Sequence, residues 1–211
     1  MRIAVDVGAM NRHNFFSNLG LSTDSPSLAN LVHGNRVTVV REEDRGKVQE
    51  SCDALVTNVP NTILGVTAAD CLPVYFWNKQ KTIIGIAHAG WRGIRSTIVQ
   101  EVVKALVAEY ACGASDICVE IGPHIMDCHF EIKDDLVEMF SEYSDDIRRA
   151  DGKMYLNLQN IAMKQLLATG VPHENVQLST VCTHCSDIYF SYRRDKPEII
   201  EAMLAYIVLE L

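Results

Sequence analysis

The chain has 211 residues, 48% of them hydrophobic and 22% charged, with the apolar residues spread along its whole length; this excludes a disordered polyelectrolyte and predicts one well-buried domain over residues 1–211. Acidic residues outnumber basic ones by 27 to 19, a formal net charge of −8, which excludes a broad basic face for nucleic acid but leaves room for a small basic pocket that takes an anionic substrate. No apolar run is long enough to span a bilayer, and Asp6 stands where a signal peptide would carry its apolar core, so the expectation is a cytoplasmic protein with no membrane partner.

Arg36 to Arg41 reads as a strand between Gly34-Asn35 and the charged turn Glu42 to Gly46. Thr62 to Thr67 and Thr82 to Ala87 are nearly continuous apolar runs, rich in Ile and Val and too short for typical helices, which predicts buried central strands. Val74 to Trp77 predicts another. After Gly93, Ile94, Ile98, Val102, Leu106 and Tyr110 recur at steps of four, the stripe of a long amphipathic helix that stops at Cys112-Gly113. Ile117 to Ile121 reads as a strand, Asp134 to Phe140 and Leu158 to Ala168 as helices, and Val176 to Thr180 as a strand. In the tail, Glu198 to Leu204 has helical periodicity, and Tyr206 to Leu211 has the composition of an edge strand. Strands follow strands without a strict alternation with helices, so the fold class is α+β. Neither a dinucleotide fingerprint nor a P-loop is present in the sequence.

Polar residues gather at the ends of the apolar runs. Leu31 to Gly34, with His33, precedes one strand; Thr67 to Cys71 ends another; His88 to Gly93 ends a third and opens the long helix. If these strands are neighbours, two imidazoles and a thiolate meet at one rim. That donor set suits Zn²⁺ and leaves a fourth tetrahedral position open, as catalytic zinc sites do. The alternative is that the three are incidental core or surface residues. Asp70 is a candidate to orient an imidazole. Gly90 to Gly93 offer free backbone N–H groups at the start of the long helix, with Arg92 to add charge for an anion; equally, the glycines permit a tight helix entry and Trp91 is core.

Tyr189 to Asp195 sets aromatics beside Arg193 and Arg194. Rings can stack on a base while a guanidinium grips phosphate or ribose oxygens, and the competing reading is a strand with buried aromatics and a surface Arg–Asp pair. Seven cysteines, an odd number, argue against a fully paired disulfide framework and for free thiols, with Cys52, Cys112 and Cys118 as small buried hydrophobes. Cys182-Thr183-His184-Cys185 contains a C-x-x-C spacing, for which Cys128 with His124 or His129 is the nearest-looking second ligand pair; ordinary thiols are the reading preferred here, with an accessory metal or redox role as the other option.

Four segments occur in order: Thr67 to Phe76 (TAADCLPVYF), Ala87 to Gly93 (AHAGWRG), Ile121 to Ile132 (IGPHIMDCHFEI) and Cys182 to Asp195 (CTHCSDIYFSYRRD). Together they resemble the laccase-domain, YfiH-like family, formerly called multicopper polyphenol oxidoreductases. The resemblance runs from about Asn18-Leu19-Gly20 to the C-terminus. It implies packed mixed β-sheets flanked by helices, a fold shared with toxin deamidases that use a Cys–His pair. It also implies a purine nucleoside phosphorylase that acts on inosine, adenosine and methylthioadenosine, with adenosine deamination as a second activity. By motif, the family's metal ligands fall on His33, Cys71 and His88, with Zn²⁺ as the cofactor in preference to copper, and purine nucleoside and phosphate as partners. Arg92, Arg193 and Arg194 are the expected phosphate contacts. The sequence departs from the family pattern in three places: no S-x-R-x-G-G-x-S segment, Leu31 in place of Gln, and Lys196 to Glu201 in place of T-G-R.

Two other chemistries fit parts of the sequence. A thiol hydrolase or deamidase without metal would use Cys71 as nucleophile and His88 as base. A catalytically impaired zinc-binding homologue would keep the metal and lose turnover. A copper phenol oxidase needs several copper sites, for which seven scattered histidines are a poor supply.

Overall fold

The computed structural model describes residues 2–6, 16, 26–196, 198 and 202–210. In chain order it contains β1 (Arg2–Asp6), β2 (Ser27–Ala29), β3 (Val37–Val39), β4 (Val48–Gln49), β5 (Ala54–Thr57), β6 (Thr62–Ala68), β7 (Leu72–Asn78), β8 (Ile84–Ala89), α1 (Trp91–Arg95), α2 (Ile98–Tyr110), β9 (Ile117–Ile121), β10 (Glu131–Ile132), α3 (Asp134–Met139), β11 (Ile147–Ala150), β12 (Lys153–Leu156), α4 (Leu158–Ala168), β13 (Val176–Gln177), α5 (Tyr192–Asp195) and β14 (Met203–Leu209), with short 3₁₀ turns between them. The strands make a six-stranded sheet ordered β13-β9-β7-β8-β5-β3, a five-stranded sheet ordered β1-β14-β6-β2-β4, and a three-stranded sheet ordered β10-β12-β11. Parallel and antiparallel pairs are mixed in the two larger sheets, which is the α+β class expected.

Why the central strands are apolar on both faces follows from the layering. Leu55, Tyr75, Ile84 and Ile86 on one face of the six-stranded sheet pack against Leu64, Val66, Ala205 and Ile207 of the five-stranded sheet. The opposite face presents Val56, Val74, Phe76 and Ala87 to Ile98, Val102 and Leu106 of α2 and to Ile161 and Leu166 of α4. On the outer side of the five-stranded sheet, Ile63, Leu204, Tyr206 and Val208 pack with Phe16, whose ring meets Tyr206 edge-on at 5.1 Å. Strands covered on both faces carry no polar alternation.

Several expectations from the sequence are corrected. The long helix is broken: Thr97 takes a left-handed φ of 61°, so Ile94 belongs to the short α1 and the long helix opens at Ile98. The four-residue stripe survives because Ile94 and Ile98 still face the same core. The predicted strand at Thr82 starts instead at Ile84 and reaches Ala89, which puts His88 inside the strand. The tail is not an edge strand. β14 pairs with β1 on one side and β6 on the other, and its seven residues are all buried. Met203 and Leu204 are therefore strand rather than helix; 199–201 and 211 lie outside the described residues. β13 is shorter than predicted, ending at Gln177. Cys52 is buried as expected, whereas Cys112 and Cys118 are only half-buried.

His124, just beyond β9, is 1% exposed, and its Nδ1 donates to the Gly122 carbonyl at 2.9 Å. Burial disfavours the imidazolium and lowers its pKa to about 4. The sign follows: above the unfolded value near 6.5 both states are neutral, and as pH falls toward 4 the unfolded chain takes up a proton that the fold refuses. Unfolding free energy is expected to drop by about 1.4 kcal/mol per pH unit across that window from this residue. Urea denaturation at pH 7 and pH 4.5 checks it; the His124→Asn variant should show a correspondingly smaller difference between the two.

Candidate metal centre

The centre is built at one rim of the six-stranded sheet. β8 runs antiparallel to both β7 and β5, and β5 is parallel to β3. The start of β7, the end of β8, and the starts of β5 and β3 therefore share one edge. Cys71 immediately precedes β7, His88 is the penultimate residue of β8, Asp53 immediately precedes β5, and His33 lies in the loop before β3. His33, Cys71 and His88 place ligand atoms within 4.8 Å of one another, and the two imidazoles meet edge-to-face with centroids 4.8 Å apart.

Two features set the geometry. His33 and Asp70 both occupy left-handed backbone conformations, with φ of 60° and 82°, which turns the chain sharply at the ends of the strands. Gly90 lies against the cluster: a Cβ there would come within 2.9 Å of the Cys71 sulfur. Any larger residue would displace the thiol, so the glycine of the His-Ala-Gly segment is fixed by sterics as well as by its role in entering α1.

Asp53 is the residue that the sequence reading missed. It is fully buried. Its carboxylate accepts from the backbone N–H groups of His33 at 2.8 Å, Gly34 at 2.7 Å and Val32 at 3.3 Å, and its Oδ1 lies 3.1 Å from His88 Nδ1. One carboxylate thus folds the His33 loop and fixes the His88 ring. Burial alone would push the Asp53 carboxyl up; the His88 and backbone hydrogen bonds outweigh it and hold the group below the usual carboxylate range. Burial likewise lowers the His88 pKa, but the contacts with Asp53 and Cys71 raise it to about 9. His33 is exposed, and partial burial of its ring together with the nearby His88 holds its pKa below the ordinary value. A charged Asp directly before an apolar strand was the available sequence signal.

The donor set fits a metal ion. With His88 Nδ1 committed to Asp53, Nε2 is left for the ion, the carboxylate–histidine pairing common behind metal ligands. One thiol and two imidazoles offer three donor positions, and among the described residues His33 is exposed, Cys71 half-buried and His88 buried.

Asp70, expected to orient an imidazole, does something else. Its Oδ1 accepts from the Thr183 hydroxyl at 2.6 Å and its Oδ2 from the Arg193 backbone N–H at 2.7 Å. It ties the segment Cys182 to Arg193 to the residue next to Cys71. Arg193 commits one guanidinium nitrogen to the Glu131 carbonyl at 2.9 Å and lies over the Phe130 ring. Arg194 donates to the carbonyls of Thr183, Ser186 and Tyr189 at 2.8–2.9 Å and pairs with Asp195, so its guanidinium organises a loop. Arg92 is exposed, stacks on the Trp91 ring at 4.1 Å, and its charge is felt at His33. Gly90 to Gly93 open the five-residue α1 rather than the long helix, so the expected anion site at the start of the long helix is not formed there.

An α+β fold with a thiol and two imidazoles converging at a sheet rim defines a class of candidate metal enzymes. The sequence model described as multi-copper polyphenol oxidoreductase laccase matches residues 5–210, and the chain belongs to that family, which includes YfiH and YlmD. A purine nucleoside phosphorylase of Clostridium acetobutylicum is 35% identical over 162 residues, covering 74% of this chain and 67% of its own. A relative named adenosine deaminase RL5, from an unknown prokaryotic organism, is 32% identical over 190 residues, covering 83% of this chain and 72% of its own. Coverage of the Bacteroides thetaiotaomicron purine nucleoside phosphorylase is 63% of that protein's length, so the chain spans roughly two thirds of such curated relatives. Among solved structures, YlmD from Geobacillus stearothermophilus superposes with a TM-score of 0.89 at 29% identity, covering 98% of this chain and 85% of that one.

Proposed function

We propose that this chain is a zinc-dependent purine nucleoside phosphorylase acting on inosine, adenosine or methylthioadenosine, with adenosine deamination as a second activity of the same centre. The observation that carries the reading is the convergence of His33, Cys71 and His88, backed by Asp53, at the sheet rim; the names of the relatives supply the reaction class. His33, Cys71 and His88 would hold a bound Zn²⁺, which would supply Lewis acidity, and Asp53 would keep the His88 ring oriented toward it. Arg92 and Arg193 bind phosphate, whose oxygen attacks the ribose C1′ as the purine leaves with the C1′–N bond electrons. Arg194 acts on phosphate through the loop it braces.

The test is incubation of zinc-loaded protein with inosine or adenosine, with and without phosphate. Phosphate-dependent purine release with one ribose-1-phosphate per purine is expected; inosine formed from adenosine without phosphate would mark deamination. No purine product under any of these conditions rejects the reading. The Arg92→Ala variant is expected to raise the KM for phosphate about tenfold, the loss of ~1.4 kcal/mol of charge-assisted binding, with zinc content unchanged. Initial rates at varied phosphate check it.

A second reading rests on the same contacts. Cys71, His88 and Asp53 stand in the order nucleophile, base and orienting carboxylate, and so could serve a thiol hydrolase. Activity that survives exhaustive chelation would favour it; inactivation by EDTA with rescue by Zn²⁺ would exclude it.

A further inference from the structure

A second cluster lies on the loops beyond the rim. Cys128, His129, Cys182 and Cys185 bring three thiols and an imidazole within 4.8 Å of one another. The Cys128 and Cys185 sulfurs are 3.7 Å apart. Two thiolates on a tetrahedral zinc, each at about 2.3 Å, would sit about 3.8 Å apart. His129 Nδ1 lies 3.3 Å from the Cys128 sulfur and 3.2 Å from that of Cys185. Its ring is held by stacking on His184 at 3.9 Å, and the Met126 backbone N–H donates to the Cys182 sulfur at 3.4 Å, the kind of contact that supports a thiolate. The Cys185 N–H closes a turn on the Cys182 carbonyl at 3.2 Å, as a C-x-x-C ligand pair requires.

We propose that these four side chains form a second metal site, a closed tetrahedral Cys₃His centre for Zn²⁺ whose role is structural. With four protein donors it leaves no position for substrate, in contrast to the centre at the rim. The ion would pin the turn at Met126 to Phe130 to the segment beginning at Cys182. That segment carries the Thr183 hydroxyl and the Arg193 N–H that grip Asp70, next to Cys71. A Cys128–Cys185 disulfide is the competing use of the two exposed thiols, but it would leave Cys182 and His129 without a part.

The proposal does not depend on the function assigned to the rim. Zinc-loaded, desalted full-length protein is to be weighed by native mass spectrometry under non-oxidising conditions. Two zinc ions per chain are expected for the wild type. One is expected for Cys71→Ser, one for the Cys128→Ser/Cys185→Ser double variant, and none for the triple variant. A second measurement covers poor folding of the double variant: cobalt added to Cys71→Ser protein should give the intense visible bands and near-ultraviolet charge transfer of a tetrahedral thiolate site. A cobalt spectrum without thiolate bands, no zinc in Cys71→Ser protein, or a mass two hydrogens short with a mapped Cys128–Cys185 disulfide would overturn the second site. Wild-type protein with a single zinc lost only in the double variant would support it and sink the rim centre instead.

Discussion

If the proposed nucleoside phosphorolysis takes place at the rim, the Cys71→Ser variant is expected to lose it by at least ~10³-fold, a rise of about 4 kcal/mol in the barrier, while remaining folded. The change replaces one sulfur by oxygen at a half-buried loop position, so the core is untouched. What it removes is the one thiol among the three donors grouped at the rim in the described residues. Two imidazoles, one of them on an exposed loop, hold an ion far more weakly than the full set. Steady-state rates measured beside circular dichroism and zinc content separate the causes. Full activity in a variant that has lost its rim zinc would show that the metal takes no part in the reaction.

Removing Asp53 should be the most damaging single change to the fold around the centre. In the Asp53→Ala variant three backbone N–H groups and the His88 ring lose one shared acceptor in a fully buried place. Breaking a buried charged pair of this kind costs about 3–5 kcal/mol. For a chain of this size that is a fall of ~10 °C in melting temperature. The Asp53→Asn variant keeps the shape and an acceptor oxygen but not the charge facing His88. It should fold better and bind zinc about 10–100-fold more weakly. Thermal melts and a competitive zinc titration measure the two effects. Equal losses of metal affinity and stability in both variants would mean that Asp53 acts only as loop scaffolding.

The grouping of His33, Cys71 and His88 was legible in the sequence because each sits near a predicted strand end, two of them beside the apolar runs that became the buried β6 and β8. The order of strands β7-β8-β5-β3 then does what the runs imply and brings their ends together. Asp53 escaped notice because β5 is four residues long, too short for a periodicity to mark it. The break at Thr97 was hidden because a single left-handed residue leaves the apolar stripe in register on both sides. The tail was misjudged because its pairing depends on β1, nearly the whole chain away. The second cluster was visible only as a C-x-x-C with an uncertain partner, since its other half, Cys128 and His129, is joined to it by tertiary contacts alone.

Crystals of the zinc-loaded protein, measured on both sides of the zinc absorption edge, probe the rim most directly. An anomalous peak is expected, bonded to the Cys71 sulfur and to one ring nitrogen each of His33 and His88, with a solvent oxygen in the fourth place. Density showing these three side chains turned apart around no ion, or a fourth protein ligand closing the sphere, would contradict it.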